Sequence, residues 1–190
     1  MRQKYGYYHG RFQPFHNGHL ANVKKMLENH EEIIIGISNP FRLPAVFEEG
    51  DSAELRASVE KGRKNENNPY TFWQRMTMIR KSLDKEGIDL GRVMIVPNAT
   101  RNGLPADEMI PARDDMVIYS VPKQVHNKEI IENRKKMGYE VVTLEKVDTP
   151  TGGKIREMIK EGDVTWKEFV PEGTVEVVEL AEKKSLSKNG

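Results

Sequence analysis

The sequence predicts an α/β fold, a Rossmann-like doubly wound parallel sheet of about five strands with a small C-terminal helical extension. Two observations carry this. Short β-prone runs alternate with segments of helical apolar spacing along most of the chain, and several of those segments close on a glycine. The aliphatic run Ile33-Ile34-Ile35-Gly36-Ile37 also reads as a strand covered on both faces, as parallel sheets require.

Taken in order, Lys4 to His9 is aromatic and β-prone, and Asn17 to Asn29 places Leu20, Val23, Met26 and Leu27 at helical spacing. Glu32 to Ser38 is the buried strand. Thr71 to Glu86 is a helix with Thr71 as N-cap, Trp73, Met76, Ile79 and Leu83 on its apolar face, and Gly87 as terminator. Val93 to Val96 is a strand closed by Pro97, and Met116 to Tyr119 is another. A helix follows from Gln124 to Met137, stopped by Gly138, then a strand from Tyr139 to Leu144. Lys154 to Glu161 is a helix ended by Gly162. One domain is expected over residues 1–182, its C-terminal helical part over about 151–182, with a polar, disordered tail at 183–190. Residues 39–69 break the rhythm: about thirty residues, holding one short helix at Ser52 to Glu60, form an insertion of a length usually tied to function or to mobility.

Composition narrows the function. Thirty basic residues against 29 acidic leave a net charge of +1, which argues against a nucleic-acid binder but permits a local basic pocket. The absence of cysteine excludes disulfides, thiol catalysis and cysteine-ligated metals. No apolar run approaches the ~20 residues that span a bilayer, and no apolar signal region precedes the first strand, so the expectation is a soluble, cytoplasmic protein without a membrane partner.

The chemistry-bearing segment is Gly10-Arg-Phe-Gln-Pro-Phe-His-Asn-Gly-His19. It sits where the first strand hands over to the first helix, the position at which open α/β sheets bind ligands. Gly10 and Gly18 permit close backbone approach. His16 and His19 share a side once the helix has begun, and a helix N-terminus supplies amides for an anion. Together these residues suit phosphates whose charge changes during a reaction. The bland reading, a turn histidine and a helix-surface histidine, stands beside it. A zinc site lacks a third ligand nearby.

GRFQPFHNGH resembles the HxGH nucleotidyltransferase superfamily, and most of all its archaeal-type nicotinamide mononucleotide (NMN) adenylyltransferases. The likeness continues in Asn68-Pro-Tyr-Thr-Phe-Trp-Gln-Arg75, in Tyr119-Ser120, and in Thr151-Gly-Gly-Lys-Ile-Arg156 followed by Gly162, Trp166 and Val170-Pro171. The resemblance implies transfer of a nucleoside monophosphate from a nucleoside triphosphate to a phosphate-bearing acceptor, with release of pyrophosphate. It implies His16, His19 and Arg156 as catalytic residues. Gly10, Arg11, Phe12, Gln13, Phe15, Gly18, Tyr119, Ser120, Thr151, Gly152, Gly153 and Ile155 would bind the nucleotide and its phosphates, and Ser38, Asn39, Arg75, Asn98 and Arg101 the acceptor. Mg²⁺ would arrive with the triphosphate, no protein metal ligand being assigned, and a homo-oligomer is implied.

The sequence departs from the family pattern in the greater length of the 39–69 insertion and at three further places. Gly153 stands where a hydroxyl is usual, Pro122 follows Ser120-Val121 where a glycine-containing turn is usual, and Pro97 to Pro105 lacks the aromatic suited to stacking on nicotinamide. Arg101 there reads equally as a cation for an anionic acceptor and as a loop arginine in solvent. ATP with NMN is the best match. A cytidylyltransferase or related enzyme acting on a small phosphate or phosphonate is the alternative, and a non-catalytic nucleotide-binding regulatory module is the alternative of another class. His30 and His126 read as surface residues, Arg134 to Lys136 as a solvated helix face, and Met76, Met78, Met94 and Trp73 as core.

Overall fold

The computed structural model describes residues 4–39, 52–98, 107–121 and 125–186. Five parallel strands lie in the order β3-β2-β1-β4-β5: β1 (Tyr5–Gly10), β2 (Glu32–Ser38), β3 (Val93–Asn98), β4 (Met116–Ser120) and β5 (Glu140–Thr143). The register pairs Tyr7 with Ile34 and with Ile118, so β1 is the central strand and the direction of winding reverses between β1 and β4. A crevice forms outside the C-terminal strand ends at such a reversal.

The helices are α1 (Asn17–Leu27), α2 (Ala53–Arg63), α3 (Phe72–Lys85), α4 (Val125–Lys136), α5 (Gly152–Glu161) and α6 (Glu172–Leu186). Their boundaries follow local chemistry. Thr71 and Gln74 form a reciprocal cap on α3: the Thr71 hydroxyl accepts from the Gln74 amide at 3.2 Å, and the Gln74 side-chain oxygen accepts from the Thr71 amide at 2.8 Å. Thr151 caps α5 by accepting from the Lys154 amide, and Gly162 closes it at φ 74°. Helix α5 therefore starts two residues earlier than its apolar pattern indicates, which puts Gly152 and Gly153 in its first turn. Helix α6 runs to Leu186, past the point where the tail was expected to fray. Its Gly173 lies so close to the backbone of Lys81 and Ser82 that a side chain there would strike α3.

The two faces of the sheet differ. One carries the main core, in which Tyr8, Phe12, Phe15, Val23, Ile33, Ile35, Ile37, Met78, Ile79, Ile155 and Val178 are buried together. The other holds a small apolar cluster of Tyr7, Ile34, Met116 and Ile118, with His9 and the register pair Ser38 and Asn98 towards its C-terminal edge and Arg134 reaching in from α4. Two expectations are corrected here. Arg134 is fully buried rather than solvated, and Trp73 is 69% exposed rather than in the core, with Met94 also exposed. His30 is buried too, its Nε2 lying 2.8 Å from the Tyr119 hydroxyl. Among the described residues no helix is long and apolar enough to cross a membrane.

Candidate active site

The β1–α1 loop lies at the C-terminal end of the central strand, beside the topological switch point, and its own side chains hold it in place. Gln13 uses its carboxamide like a strand edge, donating to the Tyr70 carbonyl at 2.8 Å and accepting from the Tyr70 amide at 3.0 Å. Phe12 and Phe15 are buried beneath the loop. Gln13, Phe12 and Phe15 are thus side chains packed within the protein that support the loop. Ile155 is core, and the Tyr119 hydroxyl meets His30. Ser120 is buried, and its carbonyl accepts from Leu144.

His16 is the N-cap of α1 and His19 is the third residue of the helix. Their rings stack with centroids 3.6 Å apart, and His19 is further enclosed by Phe12 at 4.9 Å and Phe15 at 5.7 Å. The His16 amide donates to His19 Nδ1 at 3.2 Å. A backbone amide can only donate, so Nδ1 accepts and the proton of neutral His19 resides on Nε2, leaving that N–H as the donor. Gly18 is required here, because a Cβ would come within 2.7 Å of the Thr149 hydroxyl and 3.1 Å of the His16 ring.

Two helix N-termini meet at this loop. In α1 the amides of His19 and Leu20 already reach the His16 carbonyl, so helix geometry leaves those of Asn17 and Gly18 for another acceptor. In α5 the amides of Lys154 and Ile155 reach Thr151, which leaves those of Gly152 and Gly153. The two are bolted together at Gln13. Arg156 Nη1 donates to the Gln13 carbonyl at 2.6 Å and Nη2 to Asn67 Oδ1 at 2.8 Å. A Cβ on Gly152 would lie 2.9 Å from that same carbonyl. Gly153 has only ordinary contacts, so a hydroxyl-bearing side chain is absent here without a steric reason.

The local electrostatics suit an anion. Desolvation lowers the pKa of Arg11, Arg75 and Arg156, and the positive charge of Arg11 lowers Arg75 and Arg156 further, Arg75 to about 10. Arg11 is exposed by surface area yet densely surrounded. Guanidinium groups crowded against two helix N-termini, in a chain of net charge +1, make a local cation site whose mutual repulsion an anion relieves. Gly10, at the end of β1, faces the Phe12 ring so closely that a Cβ would contact it at 3.1 Å.

The described residues expected on the acceptor side lie at the ends of β2 and β3 and on α3. Arg75 is 1% exposed and donates to the carbonyls of Thr71 (3.3 Å), Arg11 (2.8 Å), Ser38 (2.7 Å) and Asn39 (2.8 Å). It ties the ends of β1 and β2 to α3, with these donors taken up by backbone carbonyls. Ser38 and Asn39 are half-buried at the crevice edge, and Asn98 is buried with its amide on the Tyr7 hydroxyl. Arg101 and the turn at Pro122 lie outside the described residues.

Fold and site together define a nucleotidyltransferase of the HxGH type. The model of the cytidylyltransferase-like family matches residues 7–49. Nicotinamide-nucleotide adenylyltransferase 1 of Sulfolobus acidocaldarius is 31% identical over 175 residues, 89% of this chain and 85% of its own length. The nicotinamide-nucleotide adenylyltransferase of Thermoplasma acidophilum is 32% identical over 181 residues, 93% of this chain and 86% of its own. The chain belongs to the nicotinamide-nucleotide adenylyltransferase family. A bifunctional NMN adenylyltransferase/ADP ribose pyrophosphatase from Francisella tularensis, complexed with AMP and an Mn ion, has a TM-score of 0.66 at 22% identity. That match covers 95% of this chain and 49% of the other, so the chain spans about half the length of the bifunctional protein and shares its fold.

Proposed function

We propose that this protein transfers the adenylyl group of ATP to NMN, giving NAD and pyrophosphate. The observation that carries the reading is the convergence of the His16–His19 stack, Arg11, Arg156 and two helix N-termini on one loop, in a chain about 30% identical to named NMN adenylyltransferases over most of its length.

The reaction needs little covalent help. An oxygen of the NMN 5′-phosphate attacks the α-phosphorus of ATP, a new P–O bond forms, and the bond from the α-phosphorus to the bridging oxygen breaks with its electron pair leaving on pyrophosphate. Catalysis then rests on alignment and on donors placed where charge develops. His19 Nε2–H and His16 donate to oxygens of the reacting and leaving phosphates. Arg156, held at its root by the Gln13 carbonyl, directs its remaining donors to the β- and γ-phosphates. The α5 amides of Gly152 and Gly153 form the second anion seat.

Among the described residues no three His, Cys, Asp or Glu side chains assemble as a metal cage. A magnesium ion would take its ligands from phosphate oxygens and water, which suits its preference for few protein ligands. Bound there it would neutralise charge on the departing pyrophosphate. The family also carries the expectation of a homo-oligomer, which light scattering on the purified protein measures.

The test is formation of NAD from ATP, NMN and Mg²⁺, one NAD for each pyrophosphate. The reading requires that His19→Ala lowers kcat by about 10²–10³, as expected for removal of a preorganised donor, while ATP affinity changes only a few-fold. Unchanged turnover in His19→Ala would refute the assigned role.

A further inference from the structure

The reaction as derived leaves unused the polar cluster on the second face of the sheet, where His9, Ser38 and Arg134 meet at the ends of β1, β2 and α4. A guanidinium carries donors only. Arg134 Nη2 lies 2.8 Å from His9 Nε2, so Nε2 is the acceptor and the ring proton of His9 is on Nδ1. Nδ1 in turn lies 3.2 Å from Ser38 Oγ, so this N–H donates to the hydroxyl. With one lone pair of its oxygen filled by His9, the hydroxyl has its own hydrogen to give to another group.

The surroundings hold the arrangement. The Ser38 carbonyl is gripped by Arg75 Nη1, which fixes the residue from its backbone side. The Tyr7 ring lies 9° from parallel with the His9 ring, centroids 6.2 Å apart, and the Tyr7 hydroxyl accepts from Asn98 Nδ2 at 3.1 Å. Burial and the positive charge of Arg134 hold the His9 pKa well below its ordinary value, so the imidazole stays neutral and the single tautomer persists. A buried arginine that meets a histidine nitrogen gives the histidine one direction of polarity, which a solvated histidine lacks.

We propose that His9 is a positioning residue whose tautomer, locked by Arg134, occupies one lone pair of Ser38 and turns its hydroxyl to donate a hydrogen bond to an oxygen of the acceptor nucleotide. This rests on the reaction proposed above and extends it. It assigns the acceptor side of the crevice a recognition point: an oxygen of the acceptor nucleotide accepts the hydrogen of the Ser38 hydroxyl.

The test combines spectroscopy with kinetics. Nitrogen–proton correlation spectra of histidine-labelled protein should report His9 as the neutral, Nδ1-protonated form. His9→Ala and Ser38→Ala should each raise the KM for NMN about tenfold, the size of one lost hydrogen bond, with the KM for ATP within about twofold. The double variant should be no worse than either single one. His9→Asn, whose amide returns an N–H near the position of Nδ1, should recover most of the loss. An Nε2-protonated His9, additive effects, or equal rises in both KM values would overturn the proposal. Absence of NAD with the unaltered protein would refute the reaction instead. The spectrum would still decide the tautomer lock, an Nδ1 signal upholding it and an Nε2 signal ending it.

Discussion

Replacing Arg75 by alanine removes a guanidinium that spans three elements while touching no solvent. Its donors reach four carbonyls, those of Thr71, Arg11, Ser38 and Asn39, and three of these bonds join parts of the chain distant in sequence. A hydrogen bond to a charged group contributes about 1.5–3 kcal/mol, and a buried carbonyl left without a donor costs about 1–3 kcal/mol. These contributions overlap. Relief of the repulsion from Arg11 offsets part of the loss, since that charge already lowers the Arg75 pKa. A net destabilisation of about 3–5 kcal/mol follows, the range for breaking a buried charged network. At about 2–4 °C per kcal/mol for a chain of this size, the melting temperature should fall by roughly 6–20 °C in a thermal denaturation scan. Arg75→Lys should recover only a minor part, because one ammonium cannot serve carbonyls on separate strands. A melting temperature within about 2 °C of the unaltered protein, with a rise confined to the KM for NMN, would refute this account. It would restore Arg75 to the role of an acceptor ligand.

Other perturbations test other joints. Gly152→Ala sets a Cβ 2.9 Å from the Gln13 carbonyl, so the loop must shift and kcat/KM should fall at least tenfold with α5 still formed, checked by kinetics beside circular dichroism. Arg156→Lys should raise the KM for ATP several-fold, since the fork that holds the Gln13 carbonyl and Asn67 is lost. His9 sits neutral with its folded pKa far below its unfolded value near 6.5. The unfolded chain therefore binds the extra proton first, and this contribution to stability is whole above about pH 6.5 and lost as pH falls below it, at up to about 1.4 kcal/mol per pH unit. His9→Asn should flatten that part of a denaturation profile, and an unchanged slope would contradict the buried neutral state. Chelation of divalent cations should abolish turnover and Mg²⁺ should restore it, as a pyrophosphate-release assay would read.

The architecture and the strand-to-helix junctions that frame the candidate site were legible because their signals are local. His16, Gly18 and His19 fall at a strand-to-helix junction, and Thr151 precedes the glycines of a helix start. The buried arginines were not legible as such, since charge argues for solvent. Their phase held the missing signal: Arg134 lies on the stripe of Ile130 and Ile131, and Arg75 on that of Met78, Ile79 and Ser82. Trp73 shows the converse. Its place in an apolar run suggested core, yet the packing of α3 against β2 and α6 turns it outward. Which side chains touch the loop, and which merely build it, depended on long-range partners such as Gln13 with Tyr70, which no spacing encodes.

The most direct measurement is pyrophosphate release by the unaltered protein with ATP, CTP, GTP or UTP, each with and without NMN, in the presence of Mg²⁺. The account predicts release with ATP only when NMN is present, matched by NAD. Release with CTP and a small phosphate or phosphonate, and none with ATP and NMN, would contradict it.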